Sequence, residues 1–178
     1  MLTYHYCLNV LLDFTEIVES FQIGTERRFD DDPRFGLVVL SEIAGRALSP
    51  SVNDPGTAIE IVGRLVRLFH LWCAEEPDHD NKEPKYDRVG VPPLSVQDMF
   101  DDAFTVISRD GAGHVEVGVR LQKAFNSLEL ICDENMRTVV GNHRSLALKR
   151  ASVALDLSED QAKVRNAANF DSSKVHST

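Results

Sequence analysis

Residues 46–58 read RALSPSVNDPGTA, and the fold turns on how this stretch is read. Two prolines, one glycine and a run of short polar side chains stand between two amphipathic segments. Ser49-Pro50 closes the first segment, because the residue before a proline is pushed out of the helical region. Asn53 or Asp54 followed by Pro55 then offers an N-cap with proline at the first helical position. The stretch therefore predicts a helix-proline-helix corner.

Upstream, Asp32 before Pro33 repeats the same start signal, and PRFGLVVLSEIAGRAL carries Phe35, Val38, Val39, Ile43, Ala44, Ala47 and Leu48 at helical spacing. Gly36 and Gly45 weaken that helix, and they fit either close approach by a neighbouring helix or simple tolerance. Thr25 to Asp32 is a charged connector. Thr3 to Ser20 places Tyr6, Val10, Leu11, Phe14, Ile17 and Val18 at helical spacing, so a further amphipathic helix is predicted there, closed by Gly24.

Downstream, Pro55 to about Ala74 is apolar over most of its circumference, with Glu60, Arg64 and Arg67 on a narrow polar face. Such a helix is expected to be central or to lie in an oligomer interface. Glu75 to Pro93 is rich in acid, proline and turn residues and reads as a surface loop, with a short strand near Arg88 to Val91 as the lesser option. Ser95 with Asp98 resembles a capping box, opening a helix to about Ser108. Further helices are predicted from about Gly113 to Ile131 and from Glu134 to Leu155, the latter with Gly141 as a possible break. Ser158 with Gln161 predicts a second capping box and a short last helix. The expectation is an all-α, single-domain bundle of about six helices, with residues 1–20 as an N-terminal helix, 21–170 as the helical domain and 171–178 as a flexible tail.

Composition bounds the functions. The 178 residues include 28 acids against 19 bases, for a net charge of -9, so the surface repels phosphate backbones and nucleic acid is not expected as a partner. The cysteines Cys7, Cys73 and Cys132 lie far apart in apolar surroundings, which predicts buried thiols in a reducing compartment and neither a C-x-x-C site nor a disulfide framework. No apolar run approaches the roughly 20 residues that span a bilayer. His5, Asn9, Asp13 and Glu16 break even the N-terminal stretch, which also lacks the marks of a signal peptide. The chain is expected to be soluble as it stands.

Signals for enzyme chemistry are weak. Asp30 to Asp32 could offer oxygen ligands to a hard cation, but no EF-hand glycine or terminal glutamate follows, and a solvated connector ending in an N-cap explains the run. His5, His70, His79, His114, His143 and His176 never fall at a metal-ligand spacing. Asp78, His79 and Asp80 cluster only in the loop, and His70 reads as a core or interface histidine. No cofactor and no metal site is expected. At the corner, Ser49, Ser51, Asn53, Asp54 and Thr57 put hydrogen-bonding side chains beside the free N–H groups of a helix start, with Arg46 close by. They could hold an anion, or Asn53 or Asp54 could occupy those groups and leave an architectural joint.

Residues Ile23 to Ala58 resemble the signature of the bacterial predicted membrane proteins called domain of unknown function 2254. The residues that carry the likeness are Ile23, Gly24, Arg27, Asp32, Phe35, Gly36, Ile43, Ala44, Arg46 to Pro50, Asn53 to Pro55, Thr57 and Ala58. The sequence departs from the family's pattern at Arg28, Glu42, Ser51 and Gly56. Residues 1–20 show no clear match, and Val91 to Phe170 resemble the family's less distinctive C-terminal part. The resemblance implies membrane helices N-terminal to this region in intact members, with this region on the cytoplasmic side, and it implies no established activity. Two functions are expected to compete. One is a regulatory or self-associating helical module, a homo-oligomer tied to the membrane through the rest of a parent protein. The other is a small-ligand or metal site, catalytic or not, built from Arg27, Asp32, Arg46, Ser49, Asn53, Asp54 and Thr57.

Overall fold

In the computed structural model the described residues are 29, 32–74, 90 and 92–169. They form six helices and no strand: α1 (Pro33–Ala47), α2 (Pro55–Ala74), α3 (Val96–Asp110), α4 (Val115–Ile131), α5 (Glu134–Ala154) and α6 (Ser158–Ala168). The all-α bundle expected from the sequence is what the chain adopts. The helix predicted over Thr3 to Ser20, the strand option near Arg88 and the C-terminal tail lie outside the described residues.

Local chemistry sets most of the helix starts. Asp32 is the N-cap of α1 and accepts a hydrogen bond from the Phe35 backbone N–H, with Pro33 in the first turn. Ser95 caps α3 by accepting from the Asp98 N–H at 3.2 Å. The Asp98 carboxylate, however, turns to Arg34. Asp133 caps α5 through the Met136 N–H at 2.8 Å. Two expectations need correction. Helix α5 runs through Gly141 without a break. No capping box forms at Ser158, which is already inside α6, because the Gln161 amide instead donates to the carbonyls of Leu155 (2.7 Å) and Ser152 (3.2 Å).

Helices α1, α3, α5, α4 and α2 pack in that order as a closed ring, and α6 lies outside against α4 and α5. The ring encloses Phe69, Phe100, Phe104 and Phe125, all at most 1% exposed. Their centroids step 4.3 Å from Phe69 to Phe100, 5.6 Å to Phe104 and 5.1 Å to Phe125. Outside the ring, Val164 of α6 seats over Gly118, where a Cβ would meet its Cγ2 at 3.0 Å. Gly45 is likewise a close approach, since a Cβ there would meet Val106 at 2.6 Å, whereas Gly36 has nothing nearer than 4.0 Å. Each of the two readings offered for these glycines thus applies to one of them.

The most enclosed helix is α4, which buries even Gln122 and Asn126. Helix α2, expected to be central or to lie in an oligomer interface, is not central, and it buries one face through Ala58, Ile61, Val62, Leu65 and Phe69. It leaves Leu68 44% and Leu71 61% exposed. His70 is exposed on the same helix, so it is not a core histidine.

Candidate functional site

The corner is closed by its own side chains. Beyond α1 the Asp54 N–H reaches back to the Ala47 carbonyl at 2.8 Å, and Asn53 adopts the left-handed conformation with φ 48°. The Asp54 carboxylate then accepts from the Thr57 N–H at 3.1 Å and the Thr57 hydroxyl at 2.6 Å. These bonds, first the hydroxyl and then the backbone N–H, hold the Asp54 carboxyl below the usual carboxylate range. The start of α2 is therefore occupied by an internal anion. Ser49 donates to the Arg46 carbonyl at 2.7 Å and lies 3.2 Å from the Ser51 hydroxyl.

The other candidates sit apart. The Arg46 side chain lines a shallow groove with Val39, Glu42 and Ile43. Asp32 caps the far end of the 15-residue α1, about 20 Å away at the helical rise. Arg27 lies outside the described residues. The structure thus joins Asp54 to Thr57 and Ser49 to Ser51, without drawing the described candidates into one cleft. Left-handed backbone disfavours a Cβ by roughly 1–2 kcal/mol, a cost that asparagine meets better than alanine. Asn53→Ala is expected to lower unfolding free energy by about 1 kcal/mol and Asn53→Gly to leave it nearly unchanged, as read from urea denaturation midpoints.

A second polar arrangement was not singled out from the sequence. His143 lies on the buried stripe of α5, only 5% exposed, with Phe100 and Phe125 against its ring. Its Nε2 is 3.3 Å from Asp101 Oδ1 on α3. Asp101 opens in turn onto a groove of about 380 Å³ shared with Ser41, Glu42, Asp102 and Thr105. The hydroxyl of Ser41, the amide oxygen of Gln122 and His143 Nε2 are buried without a hydrogen bond in the protein. At one flank Arg34 bridges Asp98 (2.9 Å) and Asp102 (2.6 Å), and at the other Arg150 donates to Ser108 at 2.9 Å. The one signal in the sequence was the spacing of Met136, Val139, Val140, His143 and Ala147, which sets His143 among core positions.

Burial pushes the His143 imidazole below its ordinary pKa, Asp101 pulls the other way, and Arg150 adds to the lowering. The folded state therefore holds the neutral ring, and protonation favours the unfolded chain. His143 is expected to leave stability intact above about pH 6.5 and to erode it progressively as the pH falls below that. His143→Gln should flatten this part of the curve of urea midpoint against pH.

A third feature is apolar. Between α1, α2 and the start of α3 lies a cavity of about 600 Å³ whose walls include Phe29, Leu40, Leu68, Trp72 and Leu94, with Phe69 and Met99 at its base. Among the described residues no group of three His, Cys, Asp or Glu side chains is placed to hold a metal ion.

Comparison with known proteins gives a family and no activity. The family model described as "Predicted membrane protein (DUF2254)" matches residues 6–127. This chain belongs to the DUF2254 family. The match begins at residue 6, so most of the N-terminal segment that showed no clear likeness is included, and it ends within α4. The DUF2254 chain is also 30% identical over 152 residues to the uncharacterized protein Rv1290c of Mycobacterium tuberculosis. The same identity holds for the uncharacterized protein Mb1321c of Mycobacterium bovis. These alignments cover 82% of this chain and 29% of each relative, so the chain spans under a third of their length. No solved structure matches. Among the described residues no helix is long and apolar enough to cross a membrane.

Proposed function

We propose that this region is a self-association module of a DUF2254 membrane protein, in which a second copy docks over the apolar cavity between α1 and α2. The observation that carries the reading is the open cavity of about 600 Å³ with Leu68 on its wall. Beside it Leu71 and, on α1, Ile43 are 61% and 45% exposed. Contiguous apolar surface of this kind is what soluble domains cover with a partner. A net charge of -9 sets a general repulsion between copies, so the apolar patch has to supply the attraction. In the intact protein the module faces the cytoplasm, a setting that keeps thiols reduced.

The alternative, a polar ligand site at the corner, has less to rest on, because Asp54 and Thr57 satisfy each other there. Sedimentation velocity over a wide concentration range tests self-association directly. The doubly substituted Leu68→Glu, Leu71→Glu chain is expected to dissociate at least about tenfold more readily than the wild type, since each carboxylate would lose its water at the contact. A wild type that stays monomeric at the highest concentration would sink the reading. Labelling of a cysteine introduced at the exposed Val153 in a Cys7→Ser chain by a membrane-impermeant reagent, expected in lysates and not in intact cells, checks the sidedness.

A further inference from the structure

Three sulfur atoms from three parts of the chain meet at one edge of the core. Cys73 stands in the last turn of α2, Cys132 directly follows α4, and Met136 lies in the first turn of α5. Cys132 Sγ is 2.8 Å from Met136 Sδ, and Cys73 Sγ is 3.5 Å from Met136 Sδ and 3.8 Å from Cys132 Sγ. Both cysteines are free, Cys132 buried and Cys73 half-buried. We propose that Cys73, Cys132 and Met136 form a binding site for a soft monovalent metal ion, copper(I).

The donor set selects the ion. Two thiolates and a thioether are soft ligands, which favour copper(I) over hard cations held by oxygen. Zinc closes its structural sites with four nitrogen, sulfur or oxygen ligands. The third donor here is a thioether, and no additional His, Asp or Glu among the described residues joins the two thiols in a ligand group. The spacing also fits. With metal–sulfur bonds of about 2.3 Å, a trigonal ion sets its sulfurs about 4 Å apart. The two cysteines already stand 3.8 Å apart. Met136 needs to swing outward by about 1 Å, a move that its unbranched side chain permits.

Charge and protons balance. Binding one copper(I) ion forms two copper–thiolate bonds and a dative bond from Met136 Sδ, while both thiol protons leave to solvent. The neutral thiol pair becomes a centre of net charge -1. Arg137, whose charge already favours the Cys132 thiolate, offsets that charge in part, and Asp133 opposes it. The competing fate of two neighbouring thiols is closure to a disulfide, which begins with a thiolate attacking an oxidant. Disulfide closure also needs an external oxidant, whereas a metal ion displaces the protons as it binds.

The test is an anaerobic titration of the full chain with copper(I) supplied as its bicinchoninate complex, following both loss of the chelator colour and growth of thiolate-to-copper charge-transfer absorption. One ion per chain is expected, with the same result for Cys7→Ser. Cys73→Ser should weaken binding at least about a hundredfold, since losing a ligand costs more than losing an outer partner, and Met136→Leu by at least about tenfold. Leucine closely matches methionine in volume, so circular dichroism should show Met136→Leu folded. Failure of the wild type to take copper from the chelator overturns the proposal. So does unchanged affinity in Cys73→Ser or in Met136→Leu, or rapid closure of a Cys73–Cys132 disulfide by diamide in a chain that binds no copper.

Discussion

Phe125→Ala is expected to cost about 3–5 kcal/mol of unfolding free energy, the range for emptying a fully enclosed phenylalanine site. Phe125 is 0% exposed and sits on α4, the helix that packs against α2, α5 and α6. Its ring meets Phe104 edge-on at 5.1 Å and lies 6.3 Å from the His143 ring. Alanine would remove the ring from the junction of three helices that cannot close together, because the remaining members of the ring fix their spacing. A domain of this size has about 5–15 kcal/mol in total, so the variant should lie near the edge of folding. Phe125→Leu keeps much of the volume and should lose less than half as much. Urea unfolding at constant m-value is the measurement, and a loss below about 1 kcal/mol for Phe125→Ala would show that the phenylalanine cluster is not the centre of the fold.

Gly111→Ala should be the most damaging of the small substitutions, at about 2–3 kcal/mol, the upper part of the overpacking range. Gly111 follows α3 with φ -87°, an angle any residue adopts, so the cost is steric and not dihedral. A Cβ there would stand 2.6 Å from Val117 Cγ1 and 2.7 Å from the Ile107 carbonyl oxygen. Val117 is 0% exposed and has nowhere to turn. The Ile107 carbonyl accepts from the Gly111 N–H at 2.9 Å, so it cannot retreat without opening the end of α3. Gly141 is the opposite case. It lies inside α5 with nothing within 4 Å of where a Cβ would stand, and Gly141→Ala should stabilise by roughly 0.5–1 kcal/mol through helix propensity alone. Thermal unfolding of the pair should move in opposite directions, and the same sign for both would refute the assignment.

What could be read in the sequence was local. Asp32-Pro33 and Asp54-Pro55 start helices by chemistry confined to a few residues, and the Ser95 cap depends only on a nearby N–H. The bundle followed from apolar spacing. What could not be read was tertiary. Gln161 matched a capping box in spacing, but its amide goes to carbonyls at the end of α5 and just beyond it, which no four-residue pattern contains. The centrality of α4 depends on neighbours on several sides, while α2 carries more apolar residues and still faces outward at Leu71. His143 and Asp101 belong to different helices, and so do Cys73 and Met136. Their proximity is a product of packing. At the corner the sequence left open whether Asn53 or Asp54 caps the next helix, and Asp54 is the residue that accepts from Thr57.

The double grip of Arg34 on Asp98 and Asp102 has a mechanical meaning. Helix α1 is riveted to α3 at its first turn and, through the Asp54 N–H and the Ala47 carbonyl, hinged stiffly to α2 at its last. A pull arriving along the backbone at Asp32 would therefore load α3 as well as α1.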